Sequence, residues 1–208
     1  MNEIQSYLEI ATLYQLTQML RNDTYPGINH AFKRIVHVGH SFGSAQTYEL
    51  ANMYPNATDG IVLTAFSMDS AYLGLFPAGA NFMLANLNQP PRFGNVNGFM
   101  IEIALRTYAG SIADYLSPID FSSLPMGQNL PNGYVTFSNA EAAKLLLLKP
   151  KYYALGILDY AESTKQVATL GEILTLGSLT ATNNFAGPVM VITGGKLIHS
   201  IIHSWHSH

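Results

Sequence analysis

Arg34-Ile35-Val36-His37-Val38-Gly39-His40-Ser41-Phe42-Gly43-Ser44 is the stretch that decides the fold. Its first half is a near-continuous apolar run around Ile35, Val36 and Val38, which predicts a strand buried on both faces of a parallel sheet. Its second half, Gly39-His40-Ser41-Phe42-Gly43, is a G-x-S-x-G arrangement. Directly behind a strand, that pattern predicts a sharp turn into a helix that lifts the Ser41 hydroxyl above the sheet edge, a nucleophile elbow. The turn is tight enough that a Cβ at either glycine is expected to clash. Ser41 itself is expected in a strained backbone conformation, of the kind that persists at working sites. Residues 44–54 read as the following helix, stopped by Pro55. The alternative is an ordinary glycine-flanked turn with an idle serine.

Working outward, a helix is expected over residues 3–21. Asn2 and Gln5 have the capping-box spacing, and Ile4, Tyr7, Leu8, Ala11 and Tyr14 lie along one helical face. Further strands are expected over 60–66, behind Asp59-Gly60, and over 188–193, between Gly187-Pro188 and Gly194-Gly195. Strands separated by helical segments imply right-handed crossovers and a parallel sheet. Between the last two strands lie some 120 residues with no clear strand, more than a crossover needs. Helical patterns are expected there over 99–116, from a Ser138 cap with Glu141 to Pro150, over 152–162 and over 169–179. The predicted organisation is a core of residues 1–71 and 167–194, a helical cap of 72–166 and an atypical tail of 195–208. Phe76, Phe82, Phe93, Phe99 and Tyr108 either line an apolar substrate pocket or form ordinary cap core.

Composition narrows the function classes. The chain has 208 residues, of which 11% are charged, and a net charge of -3. With no clustered basic residues, nucleic acid is not an expected partner. Cysteine is absent, which removes thiol nucleophiles, disulfides and cysteine-based metal sites together. No apolar stretch is long enough for a membrane span. Met1 runs straight into the first helical pattern, with no secretory leader expected, and the compartment stays open. Sequons at Asn22 and Asn56 matter only in a secretory setting.

The run His37-Val38-Gly39-His40-Ser41-Phe42-Gly43-Ser44, then Tyr54-Pro55 and Asp59-Gly60-Ile61-Val62-Leu63-Thr64, resembles the serine α/β-hydrolases, most closely fungal AB-hydrolase proteins. Gly187-Pro188-Val189-Met190-Val191-Ile192-Thr193-Gly194 looks like the strand after the cap in that family. The resemblance runs over about residues 3–194. It implies a partial α/β-hydrolase fold, with a short parallel sheet of about three core strands and a helical cap insertion. It also implies hydrolysis of a small apolar ester or related acyl substrate, without a cofactor.

By position Ser41 matches the nucleophile and the Phe42 backbone N–H one oxyanion donor, while His40 occupies the variable elbow position and is expected to pack or hydrogen-bond beside the turn. Asp69, beyond the second strand, matches a place where some hydrolases carry the acid. The family's earlier strands and its usual acid after Thr193-Gly194 have no counterpart, so the chain is expected to be truncated at both ends. No Asp or Glu follows Glu172, and only His199, His203, His206 and His208 stand in the family's place for the base. His199 and His203 have the spacing of a helical metal pair, but Ser200 replaces the expected Glu, so no dedicated metal site is expected. The expected outcome is an ester hydrolase of weak or absent turnover. The other outcome is a non-catalytic interaction module that self-associates through an open sheet edge. Relatives in that family are often secreted.

Overall fold

The computed structural model describes residues 4–67, 75–95, 127–148, 153–154, 156–179 and 182–193. The expected helix over 99–116, Phe99, Tyr108, Asp69, Pro150 and the four tail histidines lie outside them.

The described chain is mixed α/β. Three parallel strands, β1 (Val36–His40), β2 (Gly60–Thr64) and β6 (Val189–Ile192), form a sheet in the order β1-β2-β6. Val38 sits beside Val62, and Val62 beside Met190. In a parallel ladder, laterally paired residues share a face. One face therefore carries His37, Gly39, Ile61 and Leu63, and the other Val36, Val38, Val62 and Met190.

Two helices cover the first of these faces. α1 (Ser6–Arg21) and α2 (Phe42–Met53) pack side by side, with the Tyr14 and Tyr54 rings stacked at 4.0 Å. The core beneath α2 is Ala51, Ile61 and Leu63, flanked by Tyr48, Phe66 and Phe185. Strand β1 alternates between exposed and buried residues, with Val36 and Val38 exposed. The expectation that β1 is buried on both faces is thereby corrected. Its two large valines face away from both helices, and only His37 and Gly39 point into the packed layer.

Helix α1 also departs from its reading. Its N-cap is Gln5, which makes no side-chain cap bond. The buried residues are Ser6, Ile10 and Thr17, while Ile4, Tyr7 and Leu8 are exposed. Small hydroxyl residues take the inner face because they carry hydrogen bonds there. Thr17 Oγ1 donates to the Leu13 carbonyl and meets His37 Nε2 at 2.9 Å.

A second, antiparallel sheet is formed by β3 (Met83–Leu84), β4 (Tyr134–Thr136) and β5 (Ala168–Thr169), in the order β3-β4-β5. These strands fall where none was expected, because two- and three-residue strands carry no readable alternation. Around them lie α3 (Leu75–Ala80), α4 (Ala85–Asn88), α5 (Pro90–Phe93), α6 (Ala140–Leu147), α7 (Ile157–Thr164) and α8 (Leu170–Leu176). α6 is capped by Asn139, whose side chain accepts the Ala142 N–H, and not by Ser138. The Ser138 hydroxyl is buried instead. Phe76, Phe82 and Phe137 form a ring cluster with centroids 5.6–6.1 Å apart. Phe93 is fully buried. Phe76, Phe82 and Phe137 are half-buried. No described helix is long and apolar enough to cross a membrane.

Candidate functional site

Ser41 stands between the end of β1 and the first residue of α2, with φ 51° and ψ -116°. A serine there pays a steric cost that glycine would not, since the left-handed side of φ crowds Cβ against the backbone. The conformation is held from both directions. The Ser41 N–H donates to the Thr64 carbonyl at 2.9 Å, extending the β1-β2 ladder by one rung. The Ser41 carbonyl accepts the N–H groups of Ser44 and Ala45, the first bonds of α2.

A hydroxyl network braces the same bend. Ser44 Oγ donates to the Thr64 carbonyl at 2.8 Å and accepts the Thr64 N–H at 3.0 Å. Thr64 Oγ1 donates to the Gly39 carbonyl at 2.9 Å and lies 2.8 Å from His40 Nδ1. Since the single Thr64 proton is engaged by Gly39, His40 Nδ1 is the donor in that contact. His40 thus hydrogen-bonds beside the turn, as expected for the variable position. Nothing in the spacing of the sequence pointed to Ser44 or Thr64.

The two glycines differ. A Cβ on Gly39 would lie 2.4 Å from the Gly43 carbonyl oxygen and 2.5 Å from Ser44 Cα, so only glycine fits. A Cβ on Gly43 would meet no described atom within 4 Å. The expected clash at Gly43 is therefore corrected: that position lies in the first turn of α2 and points to open space.

Ser41 is exposed, and its Oγ makes no hydrogen bond among the described residues. The N–H groups of Phe42 and Gly43 lie in the first turn of α2, where no preceding carbonyl of the helix reaches them. An exposed hydroxyl and unengaged N–H donors are thus brought to one end of one helix. Such donors hold negative charge that develops on an oxygen. The described imidazoles are not joined to Ser41. His40 is held by Thr64, and His37 lies buried on the packed face, between Thr17 and Thr58 Oγ1 at 2.9 Å each. Burial first, and the Arg21 charge second, push the His37 imidazole below its ordinary range.

At the other end of α2, Tyr14, Gln18, Arg21, Met53, Tyr54 and Asn56 line a groove of about 340 Å³. Arg21 is anchored there by Asp59, at 2.6 Å, and by the Ala57 carbonyl. The Ile35 N–H, then Arg21, hold the Asp59 carboxyl below its usual range. The groove lies a helix length of about 18 Å from Ser41. No group of three or more potential metal ligands occurs among the described residues. The chain matches no protein-family model, and no curated protein is significantly similar to it.

Proposed function

We propose that the chain is a serine hydrolase-type protein of partial α/β-hydrolase fold, acting on a small apolar ester or related acyl bond through Ser41. The observation that carries this reading is the backbone of Ser41, φ 51° at a strand-to-helix junction with its hydroxyl exposed. Strain of this kind costs about 1–3 kcal/mol and is retained where geometry matters more than stability. In the reaction the Oγ attacks the acyl carbon as its proton passes to a base, the Phe42 N–H holds the oxyanion, and collapse of that oxyanion breaks the ester C–O bond, the alcohol leaving with the proton. Water then releases the acyl group. Asp69 is carried in this reading as the candidate acid.

With no base bonded to Ser41 among the described residues, turnover is expected to be weak, because an unassisted serine is a poor nucleophile near neutral pH. A fluorophosphonate probe and a short-chain nitrophenyl ester, each run beside Ser41→Ala, test both parts. Slow labelling that disappears in Ser41→Ala supports the reading. Equal labelling of the two proteins removes Ser41 from it.

A second reading, a non-catalytic interaction module, is favoured by one observation. β1 pairs on one side only among the described residues, and Val36 and Val38 are open beside that edge. Unpaired strand edges invite another strand. Light scattering on an unlabelled, concentration-dependent oligomer would favour it.

A further inference from the structure

The bend that leads into β4 carries a pair of residues with a chemistry of its own. Asn132 and Gly133 form a turn directly before Tyr134, with Asn132 exposed. Gly133 has φ 113°, a conformation that glycine tolerates and a Cβ resists. The missing Cβ also leaves the Gly133 nitrogen open to the Asn132 side chain, whose Cγ is within reach of ring closure.

Two contacts favour that approach. The Gly133 N–H makes no hydrogen bond among the described residues, so no described acceptor holds its nitrogen back. Asn132 Oδ1 accepts Asn86 Nδ2 at 3.0 Å, and the same Nδ2 is anchored on the Leu130 carbonyl at 3.2 Å. A donor on Oδ1 holds the negative charge that attack on Cγ places there. Other exposed asparagines lack the open neighbour. Asn22, Asn56 and Asn129 are followed by Asp23, Ala57 and Leu130, each with a Cβ beside the nitrogen.

We infer that Asn132-Gly133 is a self-modification site, at which the folded chain converts its own asparagine with water as the co-reactant. The Gly133 nitrogen attacks Asn132 Cγ and gives up its proton. The bond from Cγ to the side-chain nitrogen breaks, and that nitrogen leaves with the proton as ammonia. Water then opens the cyclic imide, its oxygen and one hydrogen joining the carbonyl carbon and its other hydrogen the Gly133 nitrogen. Opening at Cγ leaves aspartate on the ordinary backbone. Opening at the main-chain carbonyl leaves isoaspartate, whose backbone runs through Cβ and Cγ and is longer by one carbon. Either product is a carboxylate where a neutral amide stood.

The products differ in their effect on the fold. The Gly133 carbonyl accepts the Leu170 N–H at 2.9 Å, at the start of α8, and Tyr134 pairs with Thr169. An extra backbone carbon just before Gly133 moves both contacts out of register, and aspartate does not. Isoaspartate is therefore the form that loosens α8 from β4.

Prolonged warm incubation of the folded chain at mildly alkaline pH, followed by peptide sequencing in a mass spectrometer, tests the site. Asn132 is expected to convert at least about tenfold faster than Asn22, Asn56 and Asn129, which share its exposure and lack its glycine. Equal rates, or an Asn132 that survives the incubation, overturn the inference. Asn97-Gly98 lies outside the described residues and in a different tryptic peptide, so it does not enter the comparison. The converted chain, separated by its added charge, reads the consequence. Amide protection of Leu170 relative to α2 is expected to fall about tenfold in the isoaspartyl fraction and to hold in freshly prepared Asn132→Asp. An isoaspartyl fraction with wild-type protection at Leu170 overturns the coupling to α8.

Discussion

On one face of the parallel sheet Ile61 and Leu63 are 2% and 1% exposed beneath α2, while on the opposite face Val36 and Val38 are 55% and 69% exposed. The residue chemistry is nearly the same on both sides. What differs is where the two helices went. α1 and α2 both lie over the face of His37, Gly39, Ile61 and Leu63, tied to it by His37–Thr17 and by the Ala51 contacts. β6 is exposed on all four residues. The comparison teaches that apolar content sets the propensity of a strand, and that coverage decides how much of that content contributes to stability. Burial of a large aliphatic side chain contributes about 1.5–3 kcal/mol only when water is excluded from it.

The largest expected effect breaks the packed face. Leu63→Ala is expected to cost about 2–5 kcal/mol, since the void lies in the closed core. Val38→Ala on the open face is expected to stay within about 0.5 kcal/mol. Denaturant midpoints of the two variants check the pair, and a Val38→Ala cost matching that of Leu63→Ala would mean that the open face is covered in solution. Val38→Lys sharpens the same point. It should leave the monomer intact and abolish any self-association through β1, as read by light scattering.

Gly39 comes next. Its Cβ would collide with backbone atoms of α2, which have no rotamer to give way, so Gly39→Ala is expected to cost about 3 kcal/mol. Gly43→Ala, two residues past Ser41 in open space, is expected to be neutral or stabilising by about 0.5–1 kcal/mol through the unfolded chain. Thermal unfolding of the two variants separates the positions.

His37 is the polar counterpart on the packed face. Removing it in His37→Leu leaves the Thr17 and Thr58 hydroxyls short of a partner, at about 1–3 kcal/mol above neutral pH. Its imidazole is lowered in the folded chain, so the unfolded chain binds the proton first and the His37 contribution falls as pH drops below about 6.5. The stability gap between wild type and His37→Leu should therefore narrow on acidification.

The three parallel strands and the strand-to-helix bend at Ser41 were legible because they rest on local chemistry. Glycine and proline punctuate the strands, and Gly39 is required by a contact only four or five residues away. The layers above were not legible. The second sheet depends on Met83, Val135 and Ala168 meeting across long separations, in strands too short to show a period. The brace at Ser44 and Thr64 is likewise a contact between distant stretches of chain. The inner face of α1 was misread because periodicity follows hydrophobicity, while Ser6 and Thr17 are buried for their hydrogen bonds.

The smallest expected effect lies where the two faces meet, at the end of β1. Ser41→Gly removes the Cβ that makes φ 51° costly, yet leaves the Thr64, Ser44 and Ala45 backbone bonds in place. Relief of strain is partly offset by the greater freedom of glycine in the unfolded chain, so the net gain is expected to be about 1 kcal/mol. Ser41→Ala keeps the Cβ and the strain, and is expected to leave stability unchanged within about 0.5 kcal/mol. The difference between the two substitutions isolates the backbone from the hydroxyl. If Ser41→Gly is no more stable than Ser41→Ala by denaturant unfolding, the bend carries no stored strain, and the role proposed for Ser41 loses the observation that supports it.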